Sequence, residues 1–188
     1  MTSSLEGRVA VVTGAGRNIG REICLALAVL GCDVAVVVRS NLEEAGEVVR
    51  AVEGLGRRAL AIAADVGEPG QVRRLVAETA ARFGRIDVLV NNAVLRDHVP
   101  FTELTDEAWA RVWAVNVTGP VLTCREVLPL MIEGGGGSII NVTGISQFTG
   151  GSAHMAAVKS ALHGLARGLA HEFGPRGVRA NCVAVSYT

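Results

Sequence analysis

Val9-Ala10-Val11-Val12-Thr13-Gly14-Ala15-Gly16-Arg17-Asn18-Ile19-Gly20 is the stretch that decides the architecture. The apolar run at 9–12 reads as a buried strand and stops at a glycine-rich turn. Beyond it Ile19, Ile23, Leu27 and Leu30 recur at spacings of four, four and three, which predicts a helix with those residues on its inner face. Gly31 is placed to end that helix. Strand, tight turn and helix in this order open a βα unit. Glycines at such a turn permit a sharp reversal and let main-chain N–H groups at the helix start approach a diphosphate. A tight turn without a ligand would use the same residues. The strand-to-helix setting is what gives the pattern its weight.

Working outward, apolar runs at 33–38, 59–64, 88–90, 138–142 and 178–185 read as further strands. Asn41 is placed to cap the next helix, with Glu44 closing a capping box. Pro69 sits near the start of a helix whose inner face is Val72, Leu75, Val76, Thr79 and Phe83. Two helical segments are expected around 106–115 and 117–132. A glycine loop is expected at 134–137 and a long helix at 152–173. Continuously apolar strands alternating with helices predict an α/β fold. It is a doubly wound, mostly parallel sheet of about six strands with helices on both faces. Ligands on such sheets bind beyond the carboxyl ends of the strands, where Thr13, Arg39, Asp65, Asn91 and Thr143 fall.

Length and composition narrow the function. The 188 residues, 49% hydrophobic and 19% charged, suit one globular domain spanning 1–188 rather than a disordered chain. Eighteen basic and eighteen acidic residues cancel, which argues against nucleic-acid binding and against a polybasic membrane anchor. Cys24, Cys32, Cys124 and Cys182 are dispersed, and neither a zinc site nor a disulfide framework is expected. No leader-like start and no membrane-length apolar run is present, so a cytoplasmic protein is expected. Tyr187 is the single tyrosine and Lys159 the single lysine.

With these motifs in place the chain resembles the short-chain dehydrogenase/reductase family, whose members share a Rossmann fold and use NAD(H) or NADP(H). Residues 13–20 resemble the family's Thr-Gly-x-x-x-Gly-x-Gly turn, which implies cofactor contacts from Gly14, Arg17, Asn18, Ile19 and Gly20. Asp65-Val66 resembles the pair that contacts adenine. Asn91-Asn92-Ala93 resembles Asn-Asn-Ala-Gly, which implies cofactor contacts from Asn91 and Ala93. Asn116-Val117-Thr118-Gly119 resembles the segment carrying the catalytic Asn. Lys159 falls at the catalytic Lys, which also contacts the cofactor. Two departures touch the cofactor side. Asn18 stands at the middle glycine of the turn, where Asn tolerates a left-handed backbone. Val94 replaces the last glycine and narrows the space beside it.

The end of the second strand reads Val38-Arg39-Ser40, without the acid that would accept bonds from the ribose hydroxyls of NAD. Arg39, with Ser40 beside it and Arg17 in the turn, suits a 2′-phosphate, because a guanidinium donates two parallel bonds. The expectation is NADP(H) over NAD(H), with two solvated arginines as the plainer reading. The family's proton relay is a Ser and a Tyr, the Tyr four residues before the Lys. Here Met155 stands at the Tyr position, and the Ser position falls on Gly144 by the motif or on Val142 by the spacing back from Met155; none of the three has a hydroxyl to give a proton. Thr143, Ser146, His154 and Tyr187 are nearby alternatives with plainer structural readings. His163 and His171 read as helix-surface residues.

In the family a substrate-covering lid and a seventh strand follow; against that resemblance the chain reads as truncated, with lid and last strand missing and the sixth strand expected as an edge. A homodimer, or another chain over that edge, is then expected, because the segments 117–132 and 152–173 correspond to helices that pair across a dimer axis in the family. Two functions follow from the resemblance. One is a non-standard enzyme, an oxidoreductase or a repurposed non-redox catalyst acting on a small molecule without the Ser–Tyr relay. The other is a catalytically inactive module that binds NADP(H) or pairs with an intact relative.

Overall fold

Six strands carry the fold: β1 (Val9–Thr13), β2 (Asp33–Val38), β3 (Ala59–Ala63), β4 (Val88–Asn91), β5 (Gly137–Gly144) and β6 (Val178–Val185). In a computed structural model, which describes residues 5–96 and 99–186, they pair in parallel in the order β3-β2-β1-β4-β5-β6. The chain runs outward from β1 to β3 on one side and from β4 to β6 on the other. The connection therefore reverses between β1 and β4, and a crevice opens above their carboxyl ends.

The helices are α1 (Asn18–Val29), α2 (Leu42–Gly54), α3 (Pro69–Phe83), α4 (Asp106–Trp113), α5 (Gly119–Glu133), the short α6 (Ser146–Thr149) and α7 (Ala153–Phe173). Alternation along the strands feeds two cores. Ala10, Val12, Val34 and Val36 face Cys24, Ala28, Val48 and Val52 of α1 and α2. Val11, Val37, Ile62, Leu89 and Ile139 face Leu75, Val127, Met131 and Leu169 of α3, α5 and α7. The doubly wound sheet with helices on both faces is as the apolar runs predict.

Local signals held in several places. Asn41 Oδ1 accepts the Glu44 N–H at 3.3 Å at the start of α2. Pro69 opens α3, all five residues of its expected inner face are buried, and Gly84 ends it at a φ of +82°. Strand bounds moved by a residue or two, and Gly137 starts β5 instead of closing a loop.

Two expectations are corrected. The buried face of α1 is Gly20, Cys24 and Ala28, whereas Ile19 and Leu30 are exposed. Small residues let the helix lie close on the sheet, and Ile23 and Leu27 only flank that contact. The segments expected at 106–115 and 117–132 form one continuous rod. Its π-helical turn, Ala114–Thr118, joins α4 to α5.

At the amino ends of the strands, Asp87 accepts the Val9 N–H at 2.9 Å and pairs with Arg8 and Arg85. Burial pushes the Asp87 carboxyl up. Hydrogen bonds from Arg85, Arg8 and the Val9 N–H outweigh that and hold it below the ordinary carboxylate range. At the far end β6 pairs only with β5 among the described residues, and Val183 is half exposed. No helix of the described residues is long and apolar enough to cross a membrane.

Candidate functional site

The glycine turn is fixed by what its residues lack. Gly14 has a φ of +64°, and a Cβ there would stand 2.8 Å from the Ala93 Cα. A Cβ on Gly20 would stand 2.2 Å from the Gly14 carbonyl oxygen. The turn, the start of α1 and the chain leaving β4 thus touch through missing side chains. Asn18 is the one non-glycine with a left-handed backbone among the described residues, at a φ of +49°. The turn tolerates it, as expected of Asn. No side chain caps α1, and its first turn carries no acid. Its leading N–H groups remain available to an anion.

Two residues, Asn92 just after β4 and Thr13 at the end of β1, tie this turn to the chain leaving β4. Asn92 Nδ2 donates to the carbonyl oxygens of Thr13 and Gly14, at 3.0 Å each. Thr13 Oγ1 accepts the N–H groups of Asn92 and Ala93. Asn92 was not singled out from the sequence, whereas Asn91 was, and Asn91 is the correction. Its side chain points under α5. It donates to Asn141 Oδ1 at 2.9 Å and to Cys124 Sγ at 3.5 Å, and accepts the Thr123 hydroxyl at 2.7 Å. Strand alternation carries the missed signal: Asn91 lies on the face of Leu89, which belongs to the α3–α5–α7 core.

Above the turn lies a cleft of about 930 Å³. Of the residues singled out from the sequence, Gly14, Arg17, Asn18, Ile19, Gly20, Arg39, Ser40, Asp65, Val66 and Ala93 all line it, as does Val94. Arg17 and Arg39 are exposed at its rim. Glu44, expected only to help cap α2, also lines it, and its carboxylate lies close to Gly16. Asp65 is already engaged. It pairs with Arg111 of α4 and accepts the Gly67 N–H at 2.9 Å. Burial raises its carboxyl, but the bond from Arg111, that N–H and the charges of Arg111 and Arg39 hold it below the ordinary range.

The remaining family positions are not among the residues that line the cleft. Asn116, in the π turn, donates to the Leu95 carbonyl at 2.8 Å and accepts the Leu95 N–H at 3.0 Å. Its amide is spent on holding the loop that carries Arg96. Lys159 donates from Nζ to the Val142 carbonyl at 3.1 Å. Burial, and after it the Arg96 charge, brings Lys159 down to about 8. Met155 is half-buried on α7, and Gly144 closes β5.

The alternative proton donors are otherwise occupied or outside what is described. The Thr143 hydroxyl donates to the Val183 carbonyl at 3.3 Å. His154 is buried, its Nδ1 3.0 Å from Ser152 Oγ. His163, expected on the surface, is half-buried with Nε2 enclosed and its ring edge-on to Phe148. His171 is exposed as expected. Tyr187 and the Ser146 side chain lie outside the described residues. The described residues hold no cluster of three potential metal ligands.

This combination of reversed winding, braced glycine turn and cleft is matched by the family model for short chain dehydrogenases over residues 8–188. The chain belongs to the short chain dehydrogenase family. It is 41% identical over 195 residues to an uncharacterized NAD-dependent oxidoreductase of Mycobacterium tuberculosis, covering 96% of this chain and 71% of that protein. It is 36% identical to a 3-oxoacyl-[acyl-carrier-protein] reductase of Synechocystis, covering 98% and 76% of the two chains. The crystal structure of a short-chain type dehydrogenase/reductase from Mycobacterium marinum superposes with a TM-score of 0.94 at 31% identity. That match covers 99% of this chain and 77% of the other.

Proposed function

We propose that the cleft holds a nicotinamide dinucleotide, NADP(H) in preference to NAD(H), and serves an oxidoreductase-type reaction on a small molecule without a Ser–Tyr proton relay. The Gly14–Gly20 turn carries the reading. At Gly14 and Gly20 its backbone leaves no room for a side chain, and the uncapped start of α1 offers N–H donors to a diphosphate. The residues present therefore fit the cofactor that the family uses. Asp65 and Val66 would flank the adenine, and the chain from Ala93 to Leu95 would lie toward the nicotinamide half. When bound, the dinucleotide supplies or accepts a hydride.

Arg17 and Arg39, at the rim, support the preference for a 2′-phosphate. A second reading, NAD(H), is favoured by Glu44. A carboxylate in the cleft repels a 2′-phosphate and can accept bonds from ribose hydroxyls, and the M. tuberculosis relative is named NAD-dependent. Met155 and Gly144 support the absence of the ordinary relay, since neither can pass a proton to a substrate oxygen. The same two residues would suit an inactive module that only binds the dinucleotide.

Calorimetric titration of the purified chain with NADPH and then NADH tests these readings. Tighter binding of NADPH is expected. Arg39→Ala should lose about 10- to 100-fold in NADPH affinity and little in NADH affinity, the scale of one charge-assisted contact. Equal or tighter NADH binding overturns the preference. Failure of both to bind overturns the cofactor reading.

A further inference from the structure

Arg111 is not among the residues that line the cleft, yet it is bonded to one that is. It stands half-buried on α4, and its guanidinium donates to Asp65 Oδ2 across 46 residues of chain. Asp65 follows β3 and is fixed at two further points. Its Oδ1 accepts the Gly67 N–H at 2.9 Å, and Gln71 Oε1 accepts the Asp65 N–H at 2.9 Å. Gly67 makes the approach of Arg111 possible. A Cβ there would stand 3.2 Å from Asp65 Oδ1, 3.3 Å from Arg111 Nη1 and 3.5 Å from the carbonyl carbon of Ala114 in the π turn. Arg39, at the rim, adds its charge. Burial works against the ionised carboxylate, and the Arg111 bond is the largest influence that opposes it.

The surroundings of Asp65 decide what it can read. Val38, Ala64 and Val66 line the same end of the cleft, where the Ala64 N–H donates to the Val38 carbonyl at 2.7 Å. They offer apolar walls to a flat ring. An ionised carboxylate beside those walls only accepts hydrogen bonds. A ring edge with an amino group suits it, and a ring edge with a carbonyl oxygen sets two acceptors against each other. A carboxylate covered by a ring without a countercharge would lose its hydration uncompensated. The guanidinium of Arg111 supplies that countercharge and fixes the direction of the carboxylate before a ligand arrives. We propose that Arg111 is a positioning residue for the base of the dinucleotide, holding Asp65 as a fixed acceptor so that the cleft takes a purine with a 6-amino group and rejects one with a 6-oxo group. The inference rests on the cofactor reading above and adds to it what selects the base.

Calorimetry of the full chain tests it. Whichever of NADPH and NADH binds is titrated beside its counterpart with hypoxanthine in place of adenine. The wild type should favour the adenine form by about tenfold or more, the scale of one hydrogen bond to a charged group. In Arg111→Gln that preference should shrink to about threefold or less, with the loss falling on the adenine form. A wild-type ratio near one overturns the proposal, and so does an Arg111→Gln chain that keeps the wild-type ratio or weakens both forms alike. Failure of every dinucleotide to bind the wild type is a different result. It overturns the cofactor reading itself, and this inference with it.

A second variant separates positioning from mere support of the fold. Asp65→Asn replaces the acceptor by an amide that can also donate, and should bring the ratio near one. Adding Arg111→Gln to Asp65→Asn should then leave the ratio within about threefold, because Arg111 acts through Asp65. A larger change on that background shows that Arg111 acts by another route and overturns the proposal. Circular dichroism checks the fold of each variant, and the wild-type ratio tests the proposal without any substitution.

Discussion

A single methyl group at residue 20 would collide with both the Gly14 carbonyl oxygen and the Asn92 amide nitrogen, and the hydrogen bond between those two groups holds them in place. Gly20→Ala should therefore lower the unfolding free energy by about 1–3 kcal/mol, the usual cost of overpacking a rigid contact. Urea titration followed by circular dichroism measures it. Any ligand of the turn should lose affinity in the same variant, since the start of α1 must shift. The need for glycine here was legible in the sequence, because strand, turn and helix are adjacent in the chain. The choice between Asn91 and Asn92 was less so. Both side chains are amides, and only the parity of β4 sends one into the core and the other to the turn.

Among the elements, the strands were the most legible, because a β-strand buried on both faces must be apolar at every position. The inner face of α1 was not. Periodicity weights bulky residues, while the contact selected small ones so that helix and sheet could approach. The π turn was invisible for another reason. It inserts into an otherwise regular rod and has no composition of its own. Its use lies in Asn116, which it directs at the backbone of Leu95. Asn116→Ala leaves one donor and one acceptor of Leu95 unpartnered and should cost about 1–3 kcal/mol. Hydrogen exchange should localise the change. The Leu95 amide should exchange faster, while amides of β1 and β2 keep their protection.

Across the whole molecule the sheet is polarised. Its carboxyl ends carry the cleft, and its amino ends carry carboxylates clamped by arginines: Asp87 by Arg8 and Arg85, and Asp33 by Arg58. Asp87 binds fewer protons folded than unfolded. Its contribution is therefore complete above the unfolded carboxyl range and disappears as pH falls through the lower, folded value. Asp87→Asn should cost about 1–3 kcal/mol at pH 7, the scale of hydrogen bonds to a charged group. The gap between variant and wild type should close on acidification, as urea unfolding from pH 7 to pH 2 would show. Two of these ion pairs, Arg8–Asp87 and Arg58–Asp33, tie residues distant in sequence, and that partnership only folding reveals.

The short run from Asn92 to Leu95 is anchored at both ends, to the glycine turn by one amide side chain and to the π turn by another. Whatever settles on the turn and whatever alters the π turn therefore act on one shared strip of backbone. Thermodynamic reciprocity then applies: if occupancy of the first tightens the second, tightening the second raises affinity at the first by the same factor. The strip ends where the loop carries Arg96 on into the cleft, so a pull at either anchor reaches the wall of the cleft as well.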